Sequence, residues 1–444
     1  MKNYLQRGFT AVFAISIAAT LGACDTWFGT VDKDPLPGKR ISVLTHQRQL
    51  IPDPELAKVE ILLPAPSPNA NWPQPGGFAN HAMHHIEVSD NPERVWDIDA
   101  GVGSDDEEKF VSSPIVADGK VFVMDAETNV SAFNAENGSQ LWTRELTPDE
   151  EDDGHISGGI AYEQGRVFAT TGFAQVVALD AESGKVIWRK SIGGPMRAAP
   201  TVRAGRVFVV TVDNRLFALS AADGSTLWSH RGIAELASIL GGGSPAVDGG
   251  VVVVPFSSGE LVALKVENGR VLWNHSLSAA RRTDVVSTLS HIRGRPVIDR
   301  GLVFAMSHGG LLVSIDLRSG RRLWDKVIGG LESPWVAGDY LFLLTNDAEL
   351  VALSRKNGGA HWVTPLPRYE DEEDKEDPII WTGPILVSDR LIIAGSNSEA
   401  LAVSPYDGAI LGKVEMPDGV TVPPVVSDRS IYFLSDDAEL IAYR

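Results

Sequence analysis

The chain has little cysteine, few cations and no apolar stretch long enough to cross a bilayer. One cysteine in 444 residues cannot close an intramolecular disulfide, so a disulfide scaffold is excluded. Lys and Arg together number 39 against 58 Asp and Glu, which leaves a net charge of -19. This balance disfavours nucleic-acid binding, which requires a surplus of cations to neutralise phosphates, and disfavours a surface that grips anionic lipid.

The N-terminus predicts a secretory signal peptide over residues 1–23. Two cations precede an apolar stretch over 9–20, which is too short to span a membrane as a helix. The stretch ends in Leu-Gly-Ala followed by Cys24, and this resembles the lipobox of bacterial lipoproteins. The resemblance implies that Cys24 carries the lipid. Asp25, directly after it, favours the inner membrane in enteric bacteria, so sorting to that membrane stays open.

Residues 24–90 predict an extended, lipid-anchored tether and lead-in that packs in places on the main body. Pro, Gly, Asn and Asp are frequent there, and no helical or strand period persists. The main domain is predicted over 91–444.

One pattern recurs through that domain: Pro-x-Val, then a Gly turn and a Val-Phe strand, then Leu-x-Ala-Leu, then a Gly and a Trp. The copy that ends at Trp188 has Ile160 in place of Pro, and the copy that starts at Pro384 has Gly412 in place of Trp. In five copies the Pro precedes the Trp by 28 residues: Pro114 and Trp142, Pro200 and Trp228, Pro245 and Trp273, Pro296 and Trp324, Pro334 and Trp362. A fixed period of about 44 residues, made of short β-branched runs, is typical of four-stranded propeller blades.

The eighth copy, from Pro424, lacks its last strand, and a spare strand with Trp96 lies upstream of the first copy. We therefore predict an all-β fold, an eight-bladed β-propeller closed by the N-terminal strand, because closure removes exposed sheet edges. Seven blades with a loose terminal hairpin are the alternative.

The repeated Trp residues are predicted to pack between neighbouring blades with their N–H groups hydrogen-bonded. The Gly before each Trp is predicted to supply a positive φ. The structural Trp residues are Trp96, Trp142, Trp188, Trp228, Trp273, Trp324 and Trp362.

The repeats resemble the PQQ-like, tryptophan-docking propeller family, which includes quinoprotein alcohol dehydrogenases. The lead-in, with PLPGKRISVL at 35–44 and GGFANHAMHH at 76–85, is similar to that of the BamB lipoproteins of α-proteobacteria. This resemblance implies a non-enzymatic scaffold, monomeric within the outer-membrane β-barrel assembly (BAM) complex on the periplasmic face of the outer membrane. The implied partners are the POTRA domains of BamA, the other BAM lipoproteins and nascent outer-membrane proteins.

A quinoprotein or small-molecule-binding propeller is the alternative function. Dehydrogenases of the family carry adjacent cysteines beside the cofactor, and no cysteine remains after Cys24. We therefore predict no cofactor and no enzymatic activity. A lipoprotein of the inner membrane with another role is a third hypothesis.

Metal binding is not predicted. His81, His84 and His85 form a cluster without an acidic or cysteine ligand at motif spacing. The acidic runs at 104–108, 149–153 and 370–377 lack the order of a calcium loop. They are predicted as solvated insertions that project from one face of the ring.

The partner-binding residues follow from the resemblance alone. In the BamB family the docking surface lies in two insertions, before the fourth and the fifth blade. The first corresponds to Ala237, Ile239 and Leu240, and the second to His291 and Arg293. This chain has Leu240 where better-known members have Arg, and a His and an Arg where they have acids.

Overall fold

The computed structural model describes residues 50–105, 109–149, 151, 156–235, 238–278 and 289–444. Leu50–Arg444 forms one compact unit. The signal peptide, Cys24 and the rest of the predicted tether up to residue 49 lie outside the described residues. None of the helices in the described ranges is long and apolar enough to cross a membrane.

The described residues form eight antiparallel four-stranded sheets, numbered here as blades 1–8 in ring order. In blades 1–7 the strands follow the chain from the innermost to the outermost. Blades 1–4 comprise β2 (Ile115–Ala117), β3 (Lys120–Met124), β4 (Asn129–Asn134), β5 (Gln140–Glu145); β6 (Gly159–Glu163), β7 (Arg166–Thr170), β8 (Gln175–Asp180), β9 (Val186–Ser191); β10 (Thr201–Arg203), β11 (Arg206–Val210), β12 (Arg215–Ser220), β13 (Thr226–Arg231); β14 (Ala246–Asp248), β15 (Val251–Pro255), β16 (Glu260–Lys265), β17 (Val271–Ser276).

Blade 7 is preceded by a two-stranded hairpin, and blade 8 takes its outermost strand, β1, from the N-terminal side. Blades 5–8 comprise β18 (Val297–Asp299), β19 (Leu302–Ser307), β20 (Leu311–Asp316), β21 (Arg322–Lys326); β22 (Trp335–Ala337), β23 (Tyr340–Leu344), β24 (Glu349–Ser354), β25 (Ala360–Pro365); the hairpin β26 (Tyr369–Asp371), β27 (Glu376–Pro378); β28 (Trp381–Val387), β29 (Arg390–Gly395), β30 (Glu399–Val403), β31 (Ile410–Glu415); β32 (Val425–Ser427), β33 (Ser430–Leu434), β34 (Glu439–Tyr443), β1 (Arg94–Asp99).

The ring closes as the sequence predicts. β1 pairs antiparallel with β34, with Trp96 opposite Ala442 and Ile98 opposite Leu440. β2 of blade 1 also contacts β32 of blade 8, where the Ser113 hydroxyl donates to the Pro423 carbonyl at 2.7 Å. The eight-bladed propeller is therefore confirmed, and the seven-bladed alternative is wrong.

The core of each blade lies on its second and third strands, whose residues are almost all buried between neighbouring sheets. In blade 2, for example, Val167, Phe168, Val177 and Leu179 are at most 1% exposed. Runs of buried Val, Leu and Phe on both faces of a strand are what a sheet covered on both sides requires. The outermost strands are mostly exposed.

A bulge in the outermost strands explains a row of exposed apolar residues. In blade 1, Ala132 pairs with Trp142 but Phe133 pairs with Gln140, so Leu141 is left unpaired and is 45% exposed. The same shift recurs in the next six blades and leaves exposed apolar residues in four of them: Ile187, Leu227, Leu323 and Leu411. These exposed residues are spread around the ring, so they do not form one contact patch.

The lead-in is more deeply integrated than an extended linker packed in places. A short 3₁₀ turn at Leu56–Lys58 packs on β25, where Asp53 N donates to Ala360 O at 2.8 Å. Residues 69–88 then bond to the innermost strand, or to the turn that follows it, in every blade. The contacts follow ring order: Asn69 to blade 8, Trp72 to blade 1, Pro73 to blade 2, Gln74 to blade 3, Ala79 to blade 4, Asn80 to blade 5, His84 to blade 6, Ile86 to blade 7 and Val88 to blade 8 again.

This circuit lies against the innermost strands. Asp428 N–H, in the turn after the first strand of blade 8, donates to Asn69 O, whereas a Cβ on Gly76 would lie 3.1 Å from Arg295 Nε, just before the first strand of blade 5. The lead-in therefore contacts both ends of the inner strands. The insertions that connect one blade to the next lie at the end opposite to the turns between the first and second strands.

Candidate functional site

The two insertions singled out from the sequence meet in the structure. Both connect an outermost strand to the next innermost strand, β13 to β14 and β17 to β18, so they lie at the same end of neighbouring blades. Ile239 N–H donates to His291 Nδ1 at 3.1 Å, and Arg293 Nε donates to Leu240 O at 3.1 Å. These two bonds join the insertions into one surface, which we call the docking loops, residues 238–243 and 289–294. Ala237 lies outside the described residues.

Arg293 extends this network to the next blade. Its Nη1 lies 3.0 Å from Glu332 Oε1, and the carboxylate belongs to the connection that leads into blade 6. Both side chains are largely withdrawn from solvent, at 24% and 11% exposure. Truncating one partner of such a pair leaves the other charge uncompensated, so the pair holds the second loop in place.

Glycines permit the close approach of the loops. Gly241 has φ +87°, and a Cβ there would lie 3.1 Å from Arg293 Nε. A Cβ on Gly243 would lie 2.6 Å from Pro255 Cγ, and one on Gly294 would lie 2.5 Å from Glu332 O. Because each position meets another chain segment, side chains there would push the loops apart.

His291 has a supporting position rather than an exposed one. It is 4% exposed, and burial, followed by the charge of Arg293 and the neighbouring His308, lowers its pKa to about 4. The ring is therefore neutral at neutral pH. Since Nδ1 accepts from Ile239, the proton is on Nε2. A protonated ring would lose this acceptor, so the neutral form fixes the loop.

Apolar side chains contribute to the solvent-facing surface of the first insertion, beside the exposed Glu235 and Ser238. Leu240 is 36% exposed and Ile239 is half-buried, while Ile233, at the start of the same insertion, is 59% exposed. Sequence reasoning did not single out Ile233 or Glu332. The apolar run over 233–240, interrupted only by Glu235 and Ser238, was the available signal for the former, and no local pattern marks the latter.

The acidic runs also belong to connections between blades. The run at 370–377, predicted as a solvated insertion, lies in the hairpin β26–β27, and residues 370–379 include no buried side chain. The runs at 104–108 and 149–153 precede blades 1 and 2, and both lie partly outside the described residues. Like the docking loops, the described residues of all three runs lie between an outermost strand and the next innermost strand.

The histidine cluster is divided among separate contacts. His81 Nδ1 lies 2.7 Å from Pro296 O, His85 Nδ1 lies 2.7 Å from Pro64 O, and His84 Nε2 lies 3.4 Å from Asp299 Oδ1. In the ranges that the structure describes, no three His, Cys, Asp or Glu side chains are grouped to hold a metal.

The repeated Trp residues lie between blades. Each indole packs over the turn glycine of the following blade, and in six of them Nε1 donates to a carbonyl of that turn at 2.8–3.1 Å: Trp142, Trp188, Trp228, Trp273, Trp324 and Trp362. Trp96 packs in the same way over Gly138, but its Nε1 has no partner among the described residues.

Gly412 stands where blade 7 would have its Trp. A Cβ there would meet nothing within 4 Å, and all six residues of β31 are exposed. The blade that follows, blade 8, has no turn between its last two strands, because β1 comes from the N-terminal side. A Trp at 412 would therefore have no turn to pack on.

Comparison with known proteins agrees with this architecture. A family model described as outer membrane protein assembly factor BamB matches residues 89–153 and 126–364, more than half of the chain. The chain belongs to the BamB family.

Relatives in the BamB family match over most of their length. The protein of Moranella endobia is 23% identical over 366 residues, covering 81% of this chain and 92% of its own. That of Salmonella typhimurium is 26% identical over 370 residues, covering 81% and 91%. Both are named outer membrane protein assembly factor BamB.

Solved structures share the fold. BamB from Moraxella catarrhalis superposes with a TM-score of 0.66 at 19% identity, covering 80% of this chain and 99% of that one. The quinohemoprotein alcohol dehydrogenase of Comamonas testosteroni reaches 0.64 at 13% identity, covering 84% and 80%. At these identities the likeness shows the propeller architecture and carries no chemistry.

Proposed function

We propose that this member of the BamB family is a non-enzymatic assembly factor that docks through the joined loops before blades 4 and 5. The observation that carries the proposal is the bond network of the docking loops. In this network His291 and Arg293 bond to the first insertion and hold in place a loop that exposes the apolar side chain of Leu240. Rigid presentation of exposed apolar side chains suits a protein interface. The proposed partner is the POTRA region of BamA, within a complex that includes the other BAM lipoproteins.

The roles within this surface differ from the family pattern. Leu240 and Ile233 make the contact, while His291 and Arg293 position the loop from within. The acidic pair of the better-known members is thereby replaced by an internal support. The Arg at position 240 is replaced by an apolar side chain, so the partner surface facing it is proposed to be apolar rather than acidic.

Dehydrogenases of the propeller family carry adjacent cysteines beside the cofactor, and this chain has no cysteine after Cys24, which supports a role without a quinone cofactor. A quinoprotein function predicts a visible or near-ultraviolet band after reconstitution with PQQ and Ca²⁺, and we expect none.

We further propose a lipid anchor at Cys24 that holds the protein on the periplasmic face of the outer membrane. The domain boundaries at 24 and 91 belong to the same proposal. Conversion of Cys24 to Ser should release the protein from membranes. Density separation of the two membranes then distinguishes the outer membrane from the inner membrane that Asp25 favours.

Delivery of nascent outer-membrane proteins is proposed to use an exposed blade edge by β-augmentation. β31 is the strongest candidate edge, since it is an outermost strand with six exposed residues and no Trp. An extended client segment would pair with its free backbone groups, and Ile410, Leu411 and Val414 would supply apolar contacts.

The test of docking is co-purification of the tagged, lipidated protein with BamA from mild detergent. Leu240→Asp and Ile233→Asp should each abolish recovery of BamA, because each places a charge in the contact. Leu141→Asp is the matched control: it adds the same charge at an exposed Leu on blade 1 and should leave recovery unchanged. Equal recovery with all three variants would refute the docking surface.

A further inference from the structure

A small cavity of about 30 Å³ lies inside the ring, between the lead-in and the inner strands of blades 5–8. Trp72, Gly76 and His81 line it from the lead-in, and Arg295, Glu332 and Trp335 line it from the blades. One water requires about 10–15 Å³ of such space, so the cavity accommodates two waters or a single ligand of a few heavy atoms.

The Arg295 side chain at the cavity has no carboxylate of its own to pair with among the described residues. Within the described residues, no ion pair within 4.0 Å includes Arg295, and its buried Nε has no hydrogen-bond partner. Glu332 is the nearest acid by charge, but it is bonded to Arg293 at 3.0 Å. Two guanidinium groups thus share one carboxylate. Burial lowers the pKa of Arg295, because removing the charged guanidinium from water is unfavourable.

Two further nitrogens at the cavity have no partner in the described part of the chain. Trp72 is 2% exposed, and its Nε1–H finds no acceptor, whereas Trp335, stacked on it at 6.2 Å, donates to His84 O at 2.7 Å. His81 is 5% exposed, donates Nδ1–H to Pro296 O, and has no partner at Nε2. Burial and the charge of Arg295 lower the pKa of His81 to about 3, so Nε2 keeps a bare lone pair.

Gly76 brings these groups together. Its φ is +83°, and a Cβ there would lie 2.9 Å from His81 Cδ2 and 3.1 Å from Arg295 Nε. The imidazole edge and the guanidinium therefore approach the same point. The cavity offers two N–H donors, one of them charged, and one acceptor.

We propose that this cavity binds a small monovalent oxyanion that carries a hydroxyl, with hydrogencarbonate as the model ligand. The anionic oxygens would accept from Arg295 and from Trp72 Nε1, and the hydroxyl would donate to His81 Nε2. A halide can satisfy the two donors but not the acceptor, and a fully deprotonated carboxylate has the same deficiency. The site shares Glu332 with the support of the docking loops, but the exposed residues Ile233 and Leu240 do not line it.

Thermal unfolding of the full, lipidated protein in detergent tests this assignment. Unfolding is measured at pH 8 in hydrogencarbonate, chloride or acetate at equal ionic strength. A ligand that binds only the folded state raises the melting temperature, here by about 1–3 °C at concentrations well above its dissociation constant. We expect this rise in hydrogencarbonate alone. Equal stability in the three salts, or an equal rise in chloride, would overturn the proposal.

Two variants connect the effect to the cavity. Trp72→Phe keeps an aromatic side chain but removes the indole N–H donor. Arg295→Gln removes the positive charge. Each should abolish the advantage of hydrogencarbonate over chloride, whatever its own stability. Arg215→Gln, at a surface pair outside the cavity, is the control and should preserve the advantage. Crystals grown with hydrogencarbonate should show planar density bonded to Arg295. Density for water alone would contradict the assignment.

Discussion

The packing of Trp142 on the turn of the next blade gives the sharpest test of what joins the blades. Gly184 has φ +65°, and a Cβ on it would lie 2.5 Å from Trp142 Cε3. Non-bonded carbon atoms essentially never lie that close, so Gly184→Ala must displace either the turn or the indole. Displacing the indole also breaks the 3.1 Å bond from its Nε1 to Ala181 O.

The cost has two parts that a second variant separates. Placing an alanine in the left-handed region costs about 1–2 kcal/mol. Forcing extra volume into a packed contact adds about 1–3 kcal/mol. Gly165, in the same blade, has φ +77°, but a Cβ there meets nothing within 4 Å. Gly165→Ala should therefore show the first cost alone, and Gly184→Ala should show both.

Denaturant unfolding of the two variants and the wild type measures the difference. Hydrogen exchange then shows where it arises, since amides of β5 and β9 should lose protection in Gly184→Ala only. If the two variants lose the same stability, or if exchange at β5 does not change, the indole does not restrict the turn and the reasoning about blade docking is refuted.

Other predictions follow from single contacts. Trp96→Phe should destabilise less than Trp142→Phe by about 1 kcal/mol, because Trp96 Nε1 has no described partner to lose; equal unfolding midpoints would contradict this. The folded pKa of His291 is about 4 and the unfolded value 6.5, so its contribution of roughly 3 kcal/mol is fully present above pH 6.5 and is lost as pH falls toward 4. His291→Asn should flatten the stability curve in that window, and an unchanged curve would exclude His291 as the cause. Trp72→Ala should cost about 3–5 kcal/mol, as for a fully buried aromatic residue, measured by denaturant unfolding; a loss under 1 kcal/mol would show that the lead-in only rests on the ring.

The number of blades and the mode of closure were predictable because they depend on a repeat. Each copy carries strands that cannot bury their faces alone, so copies must stack. The strand with Trp96 and the eighth copy without a last strand complement each other, and this is visible without coordinates. The same spacing places each Trp beside a turn glycine, which is a contact between adjacent copies of the pattern.

The lead-in circuit and the details of the docking loops were not predictable in this way. Gln74 bonds to Val202 and Trp335 bonds to His84 across more than a hundred residues, and residues 69–88 show no period that indicates such contacts. The sequence resemblance pointed to the positions of His291 and Arg293, but not to their inward orientation.

The sequence by itself determined the repeat, and through it the all-β propeller, its eight blades and its closing strand, because periodic burial is a local property of the chain. The tertiary structure alone decided which buried groups meet. It placed His291 beneath Ile239 and gathered Arg293 and Arg295 around a single carboxylate. It also bonded the lead-in to the innermost strands of the blades. These contacts depend on the packing of distant segments, whose desolvation and hydrogen bonds exist only when the ring is closed.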